Sequence, residues 1–403
     1  MQSISLSQLR SSGLSALPPL ALYIHFPWCI KKCPYCDFNS HAVKTGHSES
    51  GLPEAQYIAA LLADLESNLP QIWGRPVSSI FMGGGTPSLF SAASMAQLLD
   101  GIRARVKLHP DAEITLEANP GTFEAEKFAG YAAAGINRLS IGIQSFNDQH
   151  LQALGRVHSA GEALRAIDIA QRHFSNFNLD IMYALPQQTL AQAQADIRQA
   201  IACGSTHLSA YHLTLEPNTL FHRYPPALPD DDLAADMQEM IEAELASAGF
   251  GHYETSAFFK QSPQHDYRSR HNLNYWQFGD YLGIGAGAHG KISFHDKIIR
   301  QTRFKQPSEY LTAMASGSAI QSETEVDPAE LPFEFMLNLL RLTEGFPLAL
   351  FTERTGLPQQ RIIYQIEQAC AEGLLSRDLH WVKPTAQGQR FLNVLIERFL
   401  PEA

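Results

Sequence analysis

Leu22-Tyr-Ile-His-Phe-Pro-Trp-Cys-Ile-Lys-Lys-Cys-Pro-Tyr-Cys36 runs from a strand-like apolar stretch straight into three cysteines within eight residues. Cys29, Cys33 and Cys36 are spaced C-x3-C-x2-C, while Cys203 and Cys370 lie far off in sequence. Thiolates this close on one loop can wrap a corner of a soft metal centre. A cubane iron–sulfur cluster wants a thiolate on each iron, so three ligands leave one iron open for chemistry. A zinc site is the competing reading, with His25 or His41 as fourth ligand. Disulfides are disfavoured because the count is odd and no secretory segment precedes the cysteines.

Outward from this loop, short β-like runs alternate with amphipathic helical stretches. Residues 22–26, 79–82, 113–117, 138–143, 178–182 and 207–213 read as six strands. Between the first two, Ile58, Leu61, Leu62, Leu65 and Leu69 recur at helical spacing, and Ser91 suits a helix N-cap. Such alternation builds a parallel sheet with crossover helices. The expected fold is α/β, a partial (β/α)6 barrel whose chemistry sits at the C-terminal strand ends. The expected division is a loose leader over 1–19, a core barrel over 20–230, an extension over 231–325 and a mostly helical, winged-helix-like domain over 326–403.

A formal charge of -11 argues against a general nucleic-acid binder. Hydrophobic content of 45% with 18% charged residues fits a well-cored chain, and no apolar run is long enough to span a bilayer. The expected compartment is a reducing cytoplasm.

Several motifs fall at strand ends. Gly83-Gly-Gly-Thr-Pro-Ser88 follows the second strand, where consecutive glycines allow close backbone approach and leave main-chain groups free to bind a ligand. An isolated glycine triplet would read as a tight turn. Glu117, Gln144 and Asp180 end apolar strands and can hold hydroxyl and amino groups, although each alone could be a cap or turn residue. Arg156 suits a carboxylate, or is a surface charge. Tyr23 and Tyr35 flank the cysteines and either cover a metal centre or pack in the core.

Taken together, these motifs, with Glu117-Ala-Asn-Pro120, Ser140-Ile-Gly-Ile-Gln-Ser-Phe146 and Leu179-Asp-Ile-Met-Tyr-Ala-Leu-Pro186, resemble the radical S-adenosylmethionine superfamily. Within it the chain resembles the anaerobic coproporphyrinogen oxidase family from Leu22 onward. The resemblance implies a [4Fe–4S] cluster on Cys29, Cys33 and Cys36, with the methionyl amine and carboxylate of S-adenosylmethionine on the fourth iron. It implies reductive cleavage of the sulfonium and assigns Tyr23, Tyr35, Gly84, Gly85, Thr86, Glu117, Gln144, Arg156 and Asp180 to that cofactor. Gly85 and Thr86 could instead face a second S-adenosylmethionine.

Two departures set the branch. Oxidase members carry a further cysteine two residues after the third ligand, where this chain has Phe38. They also have a longer N-terminal extension. Both put porphyrinogen decarboxylation in doubt and leave S-adenosylmethionine cleavage open. His271-Asn-Leu-Asn-Tyr-Trp276 resembles the H-N-x-x-Y-W motif of the heme-chaperone branch. Imidazole is a natural axial ligand for heme iron, so His271 is the heme candidate and His289 a secondary one. On residues alone, a hydrogen-bonded core histidine competes with that role. The implied function is binding heme as cargo and delivering it to respiratory hemoproteins, with transient membrane contact and no nucleic-acid partner. An oxygen-independent coproporphyrinogen III oxidase and a zinc-bearing structural protein are the alternatives.

Overall fold

The computed structural model describes residues 13–43, 51–122 and 125–401, without the side chains of 122–126. Six parallel strands form its centre: β1 (Leu20–Phe26), β4 (Val77–Gly84), β5 (Leu108–Ala118), β6 (Arg138–Gln144), β7 (Phe177–Tyr183) and β8 (His207–His212), paired in that order. The short pair β2 (Trp28–Cys29) and β3 (His41–Ala42) brackets the cysteine loop. Six strands thus lie where the apolar runs predict them.

Crossover helices join the parallel strands: α1 (Glu54–Ile72), α2 (Ala92–Arg103), α3 (Ala125–Ala134), α4 (Asp148–Ala153) with α5 (Ala160–His173), and α6 (Leu190–Ala202). Their starts are chemically marked. Ser91 accepts from the Ser94 amide, and Ser159 with Glu162 and Thr189 with Gln192 form reciprocal capping boxes. Their apolar faces pack on the sheet through Ile58, Leu61, Leu98, Ile167 and Ile197, all buried. Together these cover one face of the sheet and leave its other face to line a cavity.

Beyond α7 (Leu220–Arg223) and α8 (Asp231–Ser247), the sheet grows at both edges. β9 (Phe250–Glu254) and β10 (Ala257–Lys260) continue antiparallel beyond β8. After α9 (Arg270–Trp276), β11 (Asp280–Ile284) pairs parallel with β1, and β12 (His289–Ser293), β13 (Ile298–Arg303) and β14 (Ile320–Glu325) follow, making twelve strands. α10 (Pro307–Ala315) packs against α1.

A second apolar cluster gathers α11 (Leu331–Leu339), β15 (Phe346–Pro347), α12 (Ala349–Thr355), α13 (Ile363–Ala371), β16 (Leu375–Arg377) and β17 (Trp381–Pro384). Its three-stranded sheet and helices suit the winged-helix expectation. Phe278 and Ile298 from the central sheet region join the cluster. Among the described residues no helix is long and apolar enough to cross a membrane.

One expectation needs correction. Residues 14–19 are not loose: Leu14 is buried, its amide donates to the His295 carbonyl, and Pro18 O accepts from Arg75. Pro19 O accepts from the Asp280 amide, so this stretch straps β1 to β11. Residues 1–12 of the expected leader lie outside the described residues.

Candidate functional site at the cysteine end of the barrel

β1 delivers the chain to the barrel mouth, and the cysteine loop begins there because Pro27 stops the ladder. The loop is pinned at both ends. Thr86 N donates to Trp28 O and Val43 N to Cys29 O. His25 Nε2 donates to Asn39 O at 2.8 Å, so its Nδ1 is the acceptor for the Tyr23 hydroxyl at 3.0 Å. Burial pushes the His25 imidazole down to about 4, keeping it neutral. Asn39 in turn donates to the carbonyls of Ala286 and Lys305.

Each cysteine sulfur has a polar side chain beside it. Thr86 Oγ1 donates to Cys29 Sγ at 3.5 Å, Arg156 Nη1 to Cys33 Sγ at 3.8 Å, and Ser40 Oγ lies 3.7 Å from Cys36 Sγ. Burial pushes the thiols of Cys29 and Cys36 up, so metal binding there must displace protons. Hydrogen bonds to sulfur are the usual means of tuning an iron–sulfur potential. His25 spends both nitrogens on other partners, and His41 Nε2 sits 3.2 Å from Asn39 Oδ1.

The three cysteines line a cavity of about 600 Å³ that also holds Tyr35, Gly84, Gly85, Thr86, Glu117, Gln144, Arg156 and Asp180. Tyr23 is half-buried behind that wall, stacked against Phe81. The glycine turn is shaped by its neighbours. Gly84 has φ +106, and a side chain on Gly85 would meet the carbonyls of Trp28 and Phe26 at 2.5 and 2.6 Å. Its amides, however, are not free as the sequence suggests. Gly84 N donates to Glu117 Oε2, Gly85 N to Phe26 O and Thr86 N to Trp28 O. The turn thus fastens the cysteine loop to β5 and β1.

Electrostatically the cavity holds two costly carboxyls. Burial, reinforced by Asp180, pushes Glu117 up to about 8. Asp180 is raised by burial despite accepting from Asn178 Nδ2 at 2.8 Å and Ser140 Oγ at 3.1 Å. Such a pair favours a ligand carrying positive charge or several hydroxyls. Arg156 Nη2 donates to Gly142 O at 2.7 Å, bridging the end of β6 to Cys33. Gln144 adopts φ 69 at a break in the β6–β7 register, which folds its amide back over Gly142.

His271 is placed differently. Its ring is 1% exposed, stacked on Phe81 and edge-on to Tyr275, with Ser79 Oγ 3.1 Å from Nδ1. Nε2 is buried without a hydrogen-bond partner among the described residues. Burial pushes the imidazole down to about 3, leaving it neutral. The residue is not among those lining the cavity, and its Nε2 is enclosed within the fold while α9 is seated. His289 is exposed at the start of β12.

Residues 23–200 match the Radical SAM superfamily, and residues 326–391 match the HemN C-terminal domain. The heme chaperone HemW of Escherichia coli (strain K12) is 48% identical over 388 residues, covering 96% of this chain and 99% of that protein. Its namesake from Haemophilus influenzae is 49% identical over 392 residues, with 96% and 99% covered. The chain belongs to the HemW family. A HemW-family chain also shares a fold with coproporphyrinogen III oxidase (HemN) from Escherichia coli, at TM-score 0.78 and 21% identity over 95% of this chain and 90% of that one.

A radical SAM domain implies a [4Fe–4S] cluster and S-adenosylmethionine, and three thiols on one loop, each with a polar side chain beside its sulfur, fit such a cluster. The cavity also has wall residues to which the sequence reading gives no role: Arg138, Ser140, Asn178, His207, Ser209 and Arg341. The first five occupy alternate positions on apolar strands. That period-two polarity is a readable signal. Arg341 carries none, since it arrives from the segment after α11.

Proposed function

We propose that this chain is a cytoplasmic heme chaperone that binds heme and delivers it to respiratory hemoproteins. The observation that carries the reading is its full-length likeness to proteins named heme chaperone HemW, at 48% and 49% identity. Phe38 supports it, being 61% exposed where oxidase members place a further cysteine. We assign Cys29, Cys33 and Cys36 to the cluster, and Tyr35, Gly84, Gly85, Thr86, Glu117, Gln144, Arg156 and Asp180 to S-adenosylmethionine. Their shared cavity supports this. Tyr23 would act from behind, through His25 and Phe81. Residues 20–230 would hold these cofactors, 231–325 the heme ligand, and 326–403 a docking or packing module.

For the heme, an unpartnered Nε2 on a neutral imidazole supports His271 as a ligand, in a state with α9 displaced. The test is hemin titration of anaerobically reconstituted protein, alongside an assay for protoporphyrinogen formation. A Soret band that saturates near one heme per chain, without product, is expected. Turnover of coproporphyrinogen would reverse the reading. His271→Ala should weaken hemin affinity at least tenfold while sparing the cluster absorbance, and unchanged affinity removes His271.

A further inference from the structure

The cavity continues past Asp180 toward the N-terminal end of β6. There Arg138 is 2% exposed and lines the cavity wall. Its Nε has no hydrogen-bond partner among the described residues, and the Glu113 carboxylate it pairs with stands 3.9 Å away. Glu113 is already engaged by Ser269 Oγ and by the amides of Arg270 and His271. A guanidinium buried in low dielectric is costly unless charge-assisted hydrogen bonds satisfy it.

A second arginine points the same way. Arg341 lines the same cavity, lies 4.3 Å over the Trp276 ring, and also has an unpartnered buried Nε. Its Nη2 reaches Glu254 at 3.3 Å. Ser209 and Asn272 line the same cavity. Planar guanidinium forks suit carboxylates, which they can bind through two parallel hydrogen bonds.

We infer that this inner end of the cavity receives a carboxylate, with Arg138 as its principal partner. It is a different place from the cofactor's own carboxylate, which belongs at the open iron beside the cysteines. Arg138 and Gln144 stand at opposite ends of β6, six residue steps and about 20 Å apart along the strand. Two sources offer this chemistry: a heme propionate, which rests on the heme-chaperone reading, and a free small carboxylate, which does not.

The experiment uses the full chain with reconstituted cluster and saturating S-adenosylmethionine. One arm titrates succinate and follows the midpoint of thermal unfolding. The other compares hemin with hemin dimethyl ester by Soret absorbance. Arg138→Met removes the charge at similar volume, and Arg138→Lys keeps the charge without the fork, guarding against a fold failure in the first variant. A carboxylate effect in wild type, in either arm, that falls about tenfold in Arg138→Met and severalfold in Arg138→Lys supports the site and names its source. Wild type indifferent to succinate and to esterification, or variants that respond as wild type does, overturns it. Wild type that binds no hemin sinks the chaperone reading, and the succinate arm still decides this one.

Discussion

Glu117 and Asp180 share the cavity wall, and both carboxyls are held above their ordinary range chiefly by burial. With Glu117 pushed up to about 8, the ligand-free protein carries it largely neutral at pH 7. A cationic ligand such as a sulfonium or ammonium group prefers the ionised form, so binding must release a proton. Affinity for S-adenosylmethionine is therefore expected to rise with pH, by up to about tenfold per unit, and to level off above about 8. Glu117→Gln should flatten the slope in calorimetric titrations; a slope that survives assigns the proton elsewhere. Stability runs the other way. Between the unfolded value near 4.5 and the folded value near 8, the folded state binds more protons. Ligand-free stability thus falls as pH rises through that window, and the cofactor should offset the loss. Gly85 offers a steric test at the same scale. A methyl there meets two backbone carbonyls of the cysteine loop, so Gly85→Ala should displace the loop and lower iron content per chain at least twofold. Full iron loading in that variant would show that the loop adjusts without cost.

At the scale of elements, α9 closes the barrel floor, and Glu113 of β5 seats it by accepting from Ser269 Oγ and the amides of Arg270 and His271. If heme reaches His271 only after α9 moves, weakening that seat should speed binding. Glu113→Gln replaces one carboxylate oxygen by an amide that faces donors. It should raise the hemin association rate severalfold in stopped-flow measurements, and a wild-type rate would mean that α9 stays put. The same element marks where sequence reading stops. The six central strands were legible because long apolar runs alternate with helical periodicity, and the cysteine loop and glycine turn fall at their ends. β11 to β14 were not. Ile320–Glu325 is mostly exposed and polar, and β11 joins the sheet through Leu20↔Asp280, a pairing far apart in sequence. The His271 motif was visible, yet nothing in its residues tells that Phe81, Tyr275 and Ser79 enclose the ring. Likewise the amides of the glycine turn looked free, because their acceptors, Glu117 Oε2 for Gly84, Phe26 O for Gly85 and Trp28 O for Thr86, come from other strands.

Across the whole molecule, the segment after α11 ties the C-terminal cluster to the barrel. Thr255 N donates to Arg341 O, Thr343 Oγ1 donates to His252 O, and the Arg341 guanidinium pairs with Glu254 while lying over Trp276. Glu254 is 3% exposed, and its carboxyl is raised by burial, with Arg341 the main opposing influence. Removing that cation leaves a buried carboxylate whose remaining donor among the described residues is the Ser256 amide. Breaking such a pair typically costs 3–5 kcal/mol when both partners are buried; with Arg341 29% exposed, about 1–3 kcal/mol is the fitting scale. The cost should depend on pH. At low pH Glu254 is protonated in both proteins and the loss is small. As pH rises, wild type ionises the carboxyl against Arg341, whereas Arg341→Ala must keep it protonated or bury it unpaired. The stability gap between the two is therefore expected to widen as pH rises above the ordinary carboxylate range in calorimetric unfolding. A gap that stays constant would assign the contribution of Arg341 to its contact with Trp276. Because Phe278 and Ile298 belong to the C-terminal apolar cluster, the loss should appear in one shared transition, since barrel and module unfold through the same packed side chains.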